Sequence, residues 1–198
     1  MTASEQITDD GGGPEGSADI SDSTRDTIVM VGLMGAGKTS IGRRLATRLG
    51  LPFVDADDAI EEAAKSSISD IFERLGEESF RDGERRVIAR LLDDSPIVLA
   101  TGGGAFMDPD TRALIAAKGI SIWLRADIDT LVRRTSRRED RPLLKNGDPR
   151  EILTNLMNLR YPIYAQADIT VDSLDGPAEE TLQQVLDALE AYRTAEKT

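Results

Sequence analysis

The sequence of 198 residues contains no cysteine and no histidine, and only 4% of it is aromatic. Without cysteine there is no disulfide framework and no thiolate metal site. Without histidine the commonest acid–base and zinc-binding side chain is missing. Any chemistry must therefore rest on carboxylates, lysine, arginine, hydroxyls or a metal held by oxygen. A basic excess is also lacking: 36 acidic residues face 24 basic ones, for a net charge of −12. That balance argues against nucleic acid as a partner, because phosphate backbones call for a basic face. The acidic excess is unevenly placed, since residues 27–174 hold 23 acidic and 21 basic residues. No run approaches the roughly 20 apolar residues a membrane span needs, so no membrane partner is expected.

What the first 26 residues do contain is Gly11-Gly12-Gly13-Pro14, several Ser and Thr, and seven acidic residues against one arginine. Such a segment cannot bury enough apolar surface to offset its ordering entropy, and reads as a disordered acidic tail. It has neither the basic start nor the apolar stretch of a secretory signal. Residues 27–195 read as a single domain, and the chain is expected to be a cytoplasmic monomer.

Within that domain, short apolar runs alternate with helical patterns, which predicts an α/β fold around a parallel sheet. The strands are expected at Thr27–Val31, Pro52–Val54, Ile97–Ala100, Ile120–Leu124 and Ile169–Val171. Helices follow from apolar positions three or four apart: Ile41, Leu45 and Leu49; Val87, Ile88, Leu91 and Leu92; Leu182, Val185, Leu186 and Leu189. Asp148-Pro149-Arg150-Glu151 supplies an N-cap, a first-turn proline and a capping-box acid to another helix. Residues 56–83 read as a helical insertion, and the arginine-rich residues 133–148 as a mobile loop.

Gly32-Leu33-Met34-Gly35-Ala36-Gly37-Lys38-Thr39 fits the phosphate-loop pattern G-x-x-x-x-G-K-[ST], with a strand before it and an amphipathic helix after it. Backbone N–H groups turned inward by the glycines, together with the helix N-terminus, suit an anion. Lys38 would reach the β- and γ-phosphates and the Thr39 hydroxyl would hold Mg²⁺. The second strand runs into Asp55-Ala56-Asp57-Asp58, on the sheet edge where ligands gather. One of these acids can serve Mg²⁺ and another meet an acceptor hydroxyl, while Asp57 or Asp58 can equally cap the next helix. The third strand ends in Thr101-Gly102-Gly103-Gly104 with no acid, which leaves Asp55 as the candidate for the metal. Taken alone, the three glycines fit a tight turn, the pair Arg81 and Glu84 an ordinary surface ion pair, and Arg133, Arg134, Arg137, Arg138 and Arg141 a solvated face. Next to a phosphate loop, that arginine run also suits a lid that neutralises a transferring phosphoryl group.

Taken together, these pieces resemble the shikimate kinases from Val29 to about Val171. The resemblance rests on the phosphate loop, Asp-Ala-Asp at 55–57, Phe-Arg-Asp-Gly-Glu at 80–84 and Ala-Thr-Gly-Gly-Gly at 100–104. It continues in Arg-Pro-Leu-Leu at 141–144 and Arg-Tyr-Pro-Ile-Tyr at 160–164. It implies a three-layer, nucleoside-monophosphate-kinase-like fold with a five-stranded parallel sheet, a substrate-binding insertion and a lid. It also implies phosphorylation of the shikimate 3-hydroxyl by ATP and Mg²⁺, on the route to chorismate and the aromatic amino acids. By the same resemblance Gly35, Ala36, Gly37, Lys38, Thr39, Ser40, Arg134 and Arg141 bind ATP, and Thr39 and Asp55 organise the metal. Asp57 meets the ring hydroxyls as candidate base, acting with Lys38 and Arg141. Arg81 and Arg160 hold the carboxylate, Glu84 fixes Arg81, and Gly102, Gly103 and Gly104 line the acceptor. Family members often carry an arginine or glutamine just after the last strand; here Ser173-Leu174-Asp175-Gly176-Pro177 stands instead, so the adenine is expected to meet backbone or apolar groups. The alternatives are a kinase for another hydroxylated acceptor such as gluconate, or a nucleotide-dependent switch module.

Overall fold

Five short apolar runs form one sheet in the computed structural model, which describes residues 27–94, 96–136 and 147–196. The strands are β1 (Thr27–Val31), β2 (Phe53–Asp55), β3 (Val98–Ala100), β4 (Gly119–Arg125) and β5 (Ile169–Asp172). They pair in the order β2-β3-β1-β4-β5, all parallel. Every residue of β1, the central strand, is buried, as befits a strand covered on both faces. Between the strands run α1 (Lys38–Leu49), α2 (Ala56–Ala64), α3 (Ile68–Asp93), α4 (Pro109–Lys118), α5 (Ile128–Thr135), α6 (Pro149–Tyr164) and α7 (Ala178–Glu196). No helix among the described residues is long and apolar enough to cross a membrane. The acidic tail of residues 1–26 and the expected lid residues Arg137, Arg138 and Arg141 lie outside the described residues.

The departures from the sequence reading have local causes. β2 begins at Phe53 rather than Pro52, because proline has no N–H to give the ladder. β4 and β5 each run one residue further than expected, to Arg125 and Asp172. These two residues face each other in register, with the Arg125 Nε and Nη2 donating to the Asp172 carboxylate at 2.6 and 2.9 Å. The expected loop at 133–148 starts too early. Residues 133–135 are the last turn of α5, whose N-terminus is capped by Asp127 and whose Thr130, Leu131 and Thr135 are buried. The insertion expected at 56–83 has no boundary at its far end either: α3 continues to Asp93, bent where Gly76 takes φ 80°. This insertion carries a small core of its own, in which Ile60, Ile71 and Phe80 pack with Ile68, Phe72 and Val87.

Because the strands are parallel, all five carboxyl ends lie along one edge, and the loops leaving them face the same crevice. On the sheet itself, α7 is tied down by a polar staple. One Asp168 carboxylate oxygen accepts from the Ser121 N–H and hydroxyl at 2.8 and 2.6 Å, and the other accepts from the Tyr192 hydroxyl at 3.1 Å. Replacing Asp168 by Ala leaves buried donors on Ser121 unmet, and should destabilise the fold by about 2 kcal/mol. Urea unfolding should show a lower midpoint with an unchanged slope, and a loss below about 0.5 kcal/mol would contradict the staple.

Candidate active site

The loop between β1 and α1 is shaped by glycines in conformations other residues avoid. Gly35 has φ 84°, and Gly37, the N-cap of α1, has φ 99° with no side-chain cap. An uncapped helix start with no acid in its first turn leaves its amides suited to an anion. The Lys38 ammonium donates to the carbonyls of Gly32 and Leu33 at 2.8 and 3.0 Å, so it arches over the loop it follows. The next residue reaches across to the second strand: Thr39 Oγ1 donates to Asp55 Oδ2 at 3.0 Å. Asp55 is also the N-cap of α2, accepting from the Asp57 N–H at 3.2 Å. The capping role foreseen for Asp57 or Asp58 therefore falls to Asp55, because the helix starts at Ala56, two residues earlier than a cap at Asp57 would place it. Asp57 is released to face the crevice. Ser40 Oγ accepts from Arg44 at 2.8 Å.

A hydroxyl and a carboxylate from adjacent elements, both oxygen donors, fit a hard divalent cation that completes its shell with phosphate oxygens and water. No group of three or more acidic, His or Cys side chains suited to hold a metal on its own occurs among the described residues.

The glycines after β3 form the opposite wall. A Cβ on Gly102 would stand 2.9 Å from Asp57 Oδ1 and 3.1 Å from Glu84 Oε1. One on Gly103 would stand 3.0 Å from an Arg160 guanidinium nitrogen and 3.6 Å from the Gly32 carbonyl, and one on Gly104 2.5–2.7 Å from the Arg81 guanidinium. Four charged side chains from β2–α2, α3 and α6 therefore converge on three bare residues, next to the phosphate loop. Behind them, Arg112 donates to the carbonyls of Phe106 and Met107 at 2.9 and 2.8 Å, holding the turn that follows the glycines.

Burial sets the electrostatics. Glu84 is 3% exposed; one carboxylate oxygen accepts from Arg81 at 2.7 Å and the other has no partner. Desolvation pushes its pKa up, and Arg81 pulls it partly back. Asp57 sits at the solvent-accessible mouth, and its pKa is also raised, first by partial loss of water in the crevice and then by Asp55; Lys38 opposes both. On α6, the Tyr164 hydroxyl donates to the Gly103 carbonyl, and the Arg160 Nε is buried without a partner. Arg134, expected over the phosphates, bridges the phosphate loop to the segment after β5. It donates to the Gly35 carbonyl at 3.3 Å, Ser173 Oγ at 2.9 Å and the Leu174 carbonyl at 2.6 Å.

The profile of the family described as shikimate kinase matches residues 34–190. The chain belongs to the shikimate kinase family. A shikimate kinase of Paramagnetospirillum magneticum is 62% identical over 172 residues, covering 87% of this chain and 88% of the relative. One of Caulobacter vibrioides is 56% identical over 173 residues, covering 87% and 86%. The solved structure of an Acinetobacter baumannii shikimate kinase in complex with shikimate superposes with a TM-score of 0.80 at 37% identity, over 85% of this chain and 94% of that one. A gluconokinase structure from Sinorhizobium meliloti, at 19% identity and a TM-score of 0.60, shares the fold alone. The fold is thus that of the P-loop kinases and the family is one of ATP-dependent kinases.

Sequence reasoning missed the Arg134 bridge, Arg112 and the Tyr164 contact. Only the last left a signal, as Arg160 and Tyr164 are four apart on one helix face.

The crevice makes a measurable claim about Asp57. Followed by carboxyl NMR, it should titrate above the ordinary aspartate value of about 4. Asp55→Asn should lower the midpoint by removing a like charge, and Lys38→Met should raise it further. A wild-type midpoint at or below the ordinary value would contradict this electrostatic picture.

Proposed function

We propose that this protein transfers the γ-phosphoryl group of ATP to the 3-hydroxyl of shikimate, giving shikimate 3-phosphate and ADP on the route to chorismate. The observation that carries the reading is the meeting of one accessible carboxylate and two guanidinium groups on Gly102–Gly104, beside the phosphate loop. A polyhydroxylated ring acid needs cations for its carboxylate and a carboxylate for its hydroxyls, and planar guanidinium groups match the former. Gluconate would also use arginine, but it lacks the ring that holds the hydroxyls at fixed distances from the carboxylate.

In this reading Gly35, Ala36, Gly37, Lys38, Thr39 and Ser40 receive the phosphates. Thr39 and Asp55 hold Mg²⁺, which when bound neutralises charge on the β- and γ-phosphates. Arg81 and Arg160 fix the carboxylate, and Glu84 keeps Arg81 in place. Asp57 accepts a hydrogen bond from the 3-hydroxyl and takes its proton as the new O–P bond forms and the bond to the β-phosphate oxygen breaks. A raised pKa brings Asp57 closer to the working pH, which favours a base, while a loose transition state asks little of it beyond orientation. Arg141 is assigned to the phosphates as part of a lid that follows α5. Arg134 borders the 173–177 segment and puts an arginine beside the adenine side, where the sequence after β5 has none. Residues 27–195 act as one kinase unit, with 56–83 receiving the acceptor. The enzyme is read as a cytoplasmic monomer whose acidic tail, 1–26, takes no part in turnover.

ADP release measured with ATP, Mg²⁺ and each acceptor in turn decides between the acceptors. Release should depend on shikimate, with kcat/KM for gluconate lower by at least about a thousandfold, the size of a lost multipoint contact. Comparable release with gluconate, or none with shikimate, would overturn the assignment.

A further inference from the structure

Tyr164 is the last residue of α6 and is fully buried. A buried hydroxyl needs partners, and the partners of this one belong to the acceptor wall. It donates to the Gly103 carbonyl. Its oxygen also lies close enough to Arg160 for that positive charge to act on it. Both groups crowd the same point: the position of a Cβ on Gly103 lies 3.0 Å from an Arg160 nitrogen and 3.6 Å from the Tyr164 oxygen. The ring is held independently of the hydroxyl, with centroids 6.4 Å from Phe106, 6.0 Å from Trp123 and 6.2 Å from Tyr161.

A contact to a backbone carbonyl sets the direction of a whole peptide group. The chain has no cis peptide bond among the described residues. In a planar trans peptide the carbonyl and the following N–H point opposite ways. With the Gly103 carbonyl turned inward to Tyr164, the Gly104 N–H points away from the aromatic cluster, and no backbone acceptor takes it among the described residues. The Arg81 guanidinium lies over that same Gly104. One hydroxyl thus fixes a peptide donor on one side and faces a guanidinium on the other.

We propose that Tyr164 is a positioning residue for the acceptor's carboxylate. Its hydroxyl sets the Arg160 guanidinium and the Gly103–Gly104 peptide in one fixed arrangement, and the carboxylate is recognised by that arrangement rather than by charge alone. The proposal rests on the carboxylate role given to Arg160 above. It explains why a tyrosine, rather than a phenylalanine, ends a helix whose other aromatic contacts need only a ring.

The test uses Tyr164→Phe and Arg160→Ala in the full chain, with two acceptors: shikimate and its primary amide, which keeps the ring and hydroxyls but loses the charge. For Tyr164→Phe, KM for shikimate should rise about tenfold, the cost of one misplaced charge-assisted contact. KM for ATP should stay within about twofold, and the preference for shikimate over the amide in kcat/KM should fall by a similar tenfold. An unchanged preference, or an equal weakening toward both acceptors, would overturn the proposal. So would loss of folding, because it would make the hydroxyl a requirement of the core. If Arg160→Ala abolishes the preference while Tyr164→Phe keeps it, the tyrosine assignment alone fails. If Arg160→Ala also keeps it, the carboxylate reading fails and this proposal falls with it.

Discussion

Everything in the crevice depends on how closely charged side chains approach one stretch of backbone. At Gly102, Gly103 and Gly104 a Cβ would lie 2.5–3.1 Å from atoms of Arg81, Asp57, Glu84 or Arg160, closer than ordinary van der Waals contact. The three residues are bare because their space is already taken. Their carbonyls and N–H groups then become part of the wall, and the charged groups close in on them from elements that are distant in sequence. Arg81 and Glu84 come from a helix with a core of its own, Asp57 from the first turn after β2, and Arg160 from the helix before β5. Sites built this way, on strand ends and helices, hold their geometry better than sites on long loops.

The charges are arranged so that each burial is offset. Glu84 is the most deeply buried acid of the group and is paired with Arg81, itself partly buried. Removing either partner would strand the other, which is why a buried pair is costly to break even where it adds little net stability. The unpartnered Glu84 oxygen and Arg160 Nε leave side-chain hydrogen-bonding capacity in the wall unspent among the described residues. Both lie among the groups assigned to the acceptor, so the crevice is more complete with a polar ligand than without one.

Much of this was legible in the sequence. The phosphate loop could be read outright, because glycines, Lys38 and Thr39 at fixed spacing have few other uses between a strand and a helix. The parallel sheet followed from the alternation of elements, whereas its strand order did not. The acids after β2 were only half readable: a cap was expected, but the cap is Asp55, the residue that also receives the Thr39 hydroxyl, and this frees Asp57. The three glycines could not be read from local pattern, since a tight turn explains them equally well; their meaning lies in side chains that arrive from elsewhere. Arg134 shows the same limit. Its neighbours Ser173 and Leu174 are 39 and 40 residues away, and composition alone placed it in a loop.

The most direct measurement is therefore made on the wall rather than on any charged group. In Gly104→Ala the added methyl enters the space of the Arg81 guanidinium, the far end of a flexible side chain that can swing aside without moving backbone. If bare backbone is what brings the charges to the acceptor, KM for shikimate should rise about tenfold, with KM for ATP within about twofold. An unchanged KM for shikimate, or one that moves together with KM for ATP, would contradict the account.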